Sequence, residues 1–153
     1  MLQYLKRSRG QKGFTLIELL VVIAIIGILA TIVLVSLNTA RSKARDTRRV
    51  SDMRQVALAL EMYYDDNTST GYPGTAASNQ WSVMETAIEA GGYISSIPGD
   101  PGTGSYEYWV ASGNQGYVLK GTLENATNAA LDDDLDGTVL GAACADPAYC
   151  VSP

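Results

Sequence analysis

Acidic side chains gather in two places where charge is costly to hold. The stretch LDDDLDG puts Asp132, Asp133, Asp134 and Asp136 within five residues, just ahead of Gly137. Carboxylates at the alternate positions Asp132, Asp134 and Asp136 before a tight-turning glycine open a calcium-loop pattern, in which hard oxygen ligands converge on one cation. The position that would supply the bidentate glutamate of such a loop is Ala143, so the spacing fits a solvated acidic turn as well as a metal site. The second place is Glu18, the only charge in the 24 residues from Phe14 to Leu37. A carboxylate there either snorkels to lipid headgroups at a helix N-terminus or awaits a cationic partner. Near the C-terminus, CADPAYC brings Cys144 and Cys150 close, with Pro147 favouring a turn between them; without other cysteines or any histidine, this pair does not make a metal site. The absence of histidine removes every imidazole base, leaves only carboxylate chemistry to an enzyme, and makes the chain read as a non-enzyme.

The elements that carry these residues divide the 153-residue chain in two. Residues 1–54 hold ten of the eleven Lys and Arg against three acids, while residues 55–153 hold Lys120 against thirteen acids. So acidic a C-terminal part repels phosphate backbones, and no nucleic acid is expected to bind it. The apolar run from Phe14 exceeds the roughly 20 residues that cross a bilayer. A secretory signal peptide would have a shorter apolar region and a small-residue cleavage site; none follows Leu37, so the helix is expected to be retained. Lys6, Arg7, Arg9 and Lys12 on one flank are matched by Arg41 to Arg54 on the other, which leaves orientation undecided by charge alone.

Beyond the apolar run, Val50, Met53, Ala57, Leu60 and Tyr64 recur at spacings of three and four, with Val56 and Tyr63 beside them, the stripe of a helix that docks on a sheet. One helix is therefore predicted from about Phe14 to Asp65, roughly 78 Å at 1.5 Å per residue. Its Arg41–Arg54 run reads as a solvated face with Asp46 and Asp52 as local partners. A turn-rich loop (66–80), a short helix WSVMETAIEA ended by Gly91-Gly92, and a hairpin built from the alternating Tyr106, Tyr108, Val110 and from YVLKGTL complete the reading.

KGFTLIELLVVIAIIGILATI resembles the class III signal of type IV pilins and type II secretion pseudopilins. The resemblance implies a leader (1–13) cut between Gly13 and Phe14, N-methylation of Phe14, and a Glu18 that pairs with the Phe14 amine of a neighbouring subunit. It also implies an orientation with the head outside. The Pro98-Gly99-Asp100-Pro101 turn before the Tyr-rich strand is similar to the head of the major pseudopilin of type II secretion, in which a calcium-binding loop lies near the C-terminus; its ligands do not align residue by residue with Asp132, Asp134 and Asp136. In an exported head, Cys144 and Cys150 are expected to form a disulfide. Many major pilins carry a helix-breaking proline in the apolar segment; this chain has only Gly27, which costs a helix about 1 kcal/mol against about 3 for proline.

The expected fold is α+β, the pilin fold: a long N-terminal helix, with a transmembrane half (14–37) and an amphipathic half (38–65), packed on a small antiparallel sheet in a head (66–153). The expected function is that of a structural subunit of a type IV pilus or type II secretion pseudopilus. It would require no cofactor, though its acidic loop is suited to calcium. Its partners would be further copies in a homo-oligomeric filament, the prepilin peptidase, the inner-membrane assembly platform with its ATPase, and the membrane. The chain would lie in the cytoplasmic membrane as a single-pass protein before joining a periplasmic or extracellular filament. The alternative is a single-pass, non-polymerising binding protein with an acidic head.

Overall fold

The computed structural model describes residues 13–75 and 79–153. Helix α1 runs Leu16–Asp66 over 51 residues, one residue further at its C-terminal end and two residues shorter at its start than expected. Its first part belongs to a unit that ends at Thr39, and its remainder to the unit Ala40–Pro153. In the first unit every large apolar side chain from Phe14 to Leu37 is exposed, and none of the described residues is buried. An all-round apolar helix with nothing packed on it is built for lipid or for other helices. This helix is long and apolar enough to cross a membrane. Gly27 does not interrupt it.

In the second unit, residues 40–66 of α1 form one wall of the core. Met53, Val56, Ala59 and Leu60 are buried, and Val50, Ala57, Tyr63 and Tyr64 are partly so. The chain continues through α2 (Trp81–Ala90), β1 (Glu107–Val110), β2 (Tyr117–Thr122), a 3-10 turn (Ala129–Leu131), β3 (Thr138–Val139), β4 (Ala142–Ala143) and β5 (Ala148–Val151). Strands β1, β2 and β5 form an antiparallel sheet in the order β1-β2-β5, and β3 pairs with β4 in a separate two-stranded ladder. The β1–β2 register puts Tyr108 opposite Leu119, and β2–β5 puts Lys120 opposite Cys150. This is the α+β pilin fold, a long N-terminal helix with a small antiparallel sheet.

Alternation works as expected in β1, where Tyr108 and Val110 are buried while Glu107 and Trp109 are half-buried. The tyrosines serve packing. Tyr72 stacks on Tyr64 at 4.6 Å and meets Tyr117 edge-on at 4.8 Å, and both Tyr72 and Tyr117 donate their hydroxyls to Glu61. Gly121 in β2 lets the Tyr106 ring lie close, because a Cβ there would press on that ring at 3.2 Å and force it to shift, on the side where Met53 packs. Each outer edge of the three-stranded sheet is occupied by a loop. On β1, Tyr108 donates its N–H to Asn79 Oδ1 and its carbonyl accepts from Gln80 N–H. On β5, Cys150 donates its N–H to Asp134 Oδ2 and its carbonyl accepts from Leu135 N–H.

Candidate functional site

The N-terminal candidates lie ahead of and inside the first turn of α1. Gly13 and Phe14 precede the helix in exposed, non-helical chain, with open space around Gly13, and Phe14 is 81% exposed. Residues 1–12 of the expected leader (1–13), with Lys6, Arg7, Arg9 and Lys12, lie outside the described residues. Glu18 is not idle within its own chain. Its Oε2 accepts both the Thr15 N–H (2.9 Å) and the Thr15 hydroxyl (2.7 Å), while Glu18 N–H donates to Thr15 Oγ1 at 3.3 Å. Thr15-Leu16-Ile17-Glu18 is thus a reciprocal capping box, in which two otherwise orphaned helix donors are satisfied. The pattern T-x-x-E before an apolar run carries this signal in the sequence, and the reading above missed it.

At the other end, the acidic loop folds differently from the alternate-spacing expectation. Oxygens of Asp134, Asp136 and Asp146 all lie within 4.8 Å of one another. Asp132 does not join them. It is the C-cap of the 3-10 turn, with its N–H on Ala129 O, and its side chain is exposed. Asp146 takes the third place because the β3–β4 ladder and the Cys144–Cys150 disulfide fold the downstream segment back over residues 134–137. The two half-cystines have Cα atoms 5.8 Å apart and are fully buried. Asp134 Oδ2 is held by Cys150 N–H at 2.7 Å, whereas Asp134 Oδ1 is buried with no hydrogen-bond partner among the described residues. Burial pushes the Asp134 carboxyl above its ordinary range, the Cys150 N–H opposes the shift, and Asp136 and Asp146 add to it by repulsion. A hard cation with oxygen ligands is what three converging carboxylates and one orphaned oxygen suit chemically.

A third cluster was read from sequence as a solvated basic face with Asp46 and Asp52 as local partners; Arg41, Lys43, Arg48 and Arg54 are exposed and both acids pair locally, with Arg49 and Arg48, but the structure corrects the reading at Arg49. Arg49 is 3% exposed, and Asp46 and Asp52 are also buried. The Arg49 guanidinium forks onto Asp100 at 2.7 and 2.9 Å and donates from Nη1 to Asp46 (2.8 Å) and Glu124 (2.9 Å). Arg45 holds the same Glu124 through two bonds of 2.6 Å. Asp46 in turn accepts the backbone N–H groups of Glu124 and Asn125. Two loops far along the chain thereby end on one turn of α1, and their acids turn a surface arginine into a buried one. Hydrogen bonds from Arg45, then from Arg49, hold the Glu124 carboxyl down to about 2; the Arg49 fork likewise holds Asp100 below its usual range.

Comparison with known proteins places these features in context. The family model for the prokaryotic N-terminal methylation motif matches residues 8–34. The chain is 38% identical to type II secretion system core protein G of Klebsiella michiganensis over 73% of its own length and 82% of that protein's. It is 35% identical to the protein of the same name in Vibrio cholerae serotype O1, covering 78% of this chain and 84% of that one. The same identity holds for the Pseudomonas aeruginosa protein, at 85% and 95% coverage. No solved structure gives a significant match.

Proposed function

Because the chain belongs to the type II secretion system core protein G family, a family of structural and non-enzymatic subunits, we propose that it is the building unit of a secretion pseudopilus. The observation that carries this reading is the bare apolar half of α1, which begins at Leu16, two residues after Phe14, and holds Glu18 in its first turn. A membrane anchor of this kind becomes a filament core once helices of neighbouring copies replace lipid around it. Prepilin peptidase would cut between Gly13 and Phe14, and the freed, methylated Phe14 amine of one copy would face Glu18 of the next. The head would stand outside the cytoplasmic membrane, and an inner-membrane platform with its ATPase would drive addition of subunits. The rival reading, a binding protein that does not polymerise, lacks a reason for the leader motif.

The experiment is an intact-mass measurement on chain recovered from sheared surface filaments or from membranes. The expected mass corresponds to a start at methylated Phe14. Filaments containing a chain with its leader, or cut near Asn38, would overturn the proposal.

We also propose that the head binds calcium at Asp134, Asp136 and Asp146. Bound calcium would neutralise mutual repulsion and give Asp134 Oδ1 the partner that it lacks. Extracellular calcium modules commonly bind with Kd of about 10⁻⁴ to 10⁻³ M. At ten times Kd, binding adds about 1.4 kcal/mol to stability by mass action. The expected result is that the melting temperature of the full chain in detergent rises by several degrees in millimolar calcium relative to chelator. Asp134→Asn and Asp146→Asn abolish the rise, and Asp132→Asn keeps it. A rise that depends on Asp132 and not on Asp146 would refute the assignment.

A further inference from the structure

The two half-cystines do more than close a small loop. Each is hydrogen-bonded to the acidic segment at a different point. Cys150 clasps residues 134 and 135, through its N–H to Asp134 Oδ2 (2.7 Å) and its carbonyl from Leu135 N–H (3.1 Å). Cys144 clasps the far side, donating its N–H to Gly137 O at 2.6 Å. Between the half-cystines runs the loop that bears Asp146, folded by a bond from Ala148 N–H to Ala145 O. So the three carboxylates come from two chain segments, and the disulfide joins the two residues that hold those segments in register. Behind it, Val118 and Ala142 make a small buried cluster with the sulfurs, flanked by Trp109, Leu135 and Val139. The chain has only these two cysteines, so no other disulfide opposes the mutual repulsion of Asp146 with Asp134 and Asp136.

We infer that the Cys144–Cys150 disulfide sets the cation affinity of the Asp134–Asp136–Asp146 cluster, so that the site is gated by the redox state of the head. The inference rests on the calcium reading of that cluster. A dithiol reductant delivers two electrons and two protons, the S–S bond becomes two thiols, and the dithiol leaves as its cyclic disulfide. The reduced loop is then free to carry Asp146 out of reach. Linkage is reciprocal: whatever factor of affinity the disulfide confers on the cation, the cation confers on the disulfide against reduction. A chain still facing a reducing compartment would hold calcium weakly, and the same chain after oxidation would hold it well.

The test titrates calcium chloride into the full chain in detergent by calorimetry, in oxidised wild type and in the Cys144→Ser/Cys150→Ser variant. Loss of a partner that orients a metal ligand typically costs about 10- to 100-fold in affinity, and a rise in Kd of at least about tenfold is expected for the variant. An unchanged Kd in a folded variant overturns the inference and leaves the calcium reading standing. No heat of binding to oxidised wild type overturns both. Should the variant not fold, the rate at which a dithiol releases thiols from wild type is compared in calcium and in chelator. Calcium slows that release if the inference holds, and equal rates in a chain that binds calcium refute it.

Discussion

Glu18→Gln leaves the chain in the membrane with its helix cap intact, yet stops it from entering filaments. Glutamine serves at the third position of a capping box as glutamate does, so the bonds with Thr15 survive. What disappears is the charge that the Phe14 amine of a neighbouring copy would meet. Hydrogen bonds to charged groups contribute about 1.5–3 kcal/mol each, a factor of roughly ten to a hundred in the equilibrium constant for every subunit added. Losses of that size compound along a polymer. Glu18→Ala should also fail to assemble, having lost the cap as well as the charge. Immunoblots of sheared filaments and of membranes decide the matter. Normal filament yield from Glu18→Gln, with reduced yield from Glu18→Ala, would show that the residue acts as a helix cap and not as an ion-pair partner.

The second large effect is expected at Arg49. Arg49→Met removes the guanidinium that is hydrogen-bonded to both Asp100 and Asp46, whose side chains are almost wholly buried, and leaves their carboxylates with backbone N–H donors but no bonded cation. Breaking a buried pair from one side costs about 3–5 kcal/mol, a large share of the 5–15 kcal/mol that holds a typical domain folded. Arg45→Met is the control: its partner Glu124 is about one-third exposed, and a pair of that kind contributes at most about 1 kcal/mol. Urea denaturation of the full chain in detergent separates the two. Comparable stabilities for the Arg49 and Arg45 variants would show that Arg49 is dispensable to the head. Acid adds a further reading. Since the folded Glu124 carboxyl is depressed to about 2, the stability that it confers is complete above its ordinary value near 4.5 and is lost as pH falls from there towards 2. Arg45→Met should confine that loss to a narrower window by letting the Glu124 value climb back.

Helix, hairpin and anchor could be read from sequence because each rests on a local period. Met53 and Leu60 lie in the core as the three-four spacing requires, although Val56 and Ala59 are buried more fully than Ala57 and Tyr64, because the helix buries a face wider than a single stripe. Strands β3 and β4 were invisible: two residues each, Thr-Val and Ala-Ala, are too short to alternate. Strand β5 is four residues long, and small Ala148 and Cys150 leave only Tyr149 and Val151 to mark it as a strand. The same limits explain the site. Asp134 and Asp136 were found through their spacing, but Asp146 lies ten residues further on and arrives only through the fold of the loop. Arg49 looked like any exposed arginine, because its burial depends on Asp100 and Glu124, more than fifty residues away. The Thr15–Glu18 capping box, by contrast, is a local pattern that the sequence carries in full.

The occupied edges of the sheet bear on how such subunits avoid sticking together wrongly. An open β-edge invites another strand, and a protein that must crowd many copies along one axis is at particular risk of adding them sheet to sheet. Here the main-chain donor and acceptor of Tyr108 are taken by Asn79 and Gln80, and those of Cys150 by Asp134 and Leu135. Neither strand offers those groups to a stranger. Amyloid-like zippering of heads is thereby discouraged at both sides of the sheet, and the ordering of copies is left to the helices. The side chains that plug the edges are an amide and a carboxylate from loops, so this insulation costs the core nothing in apolar packing.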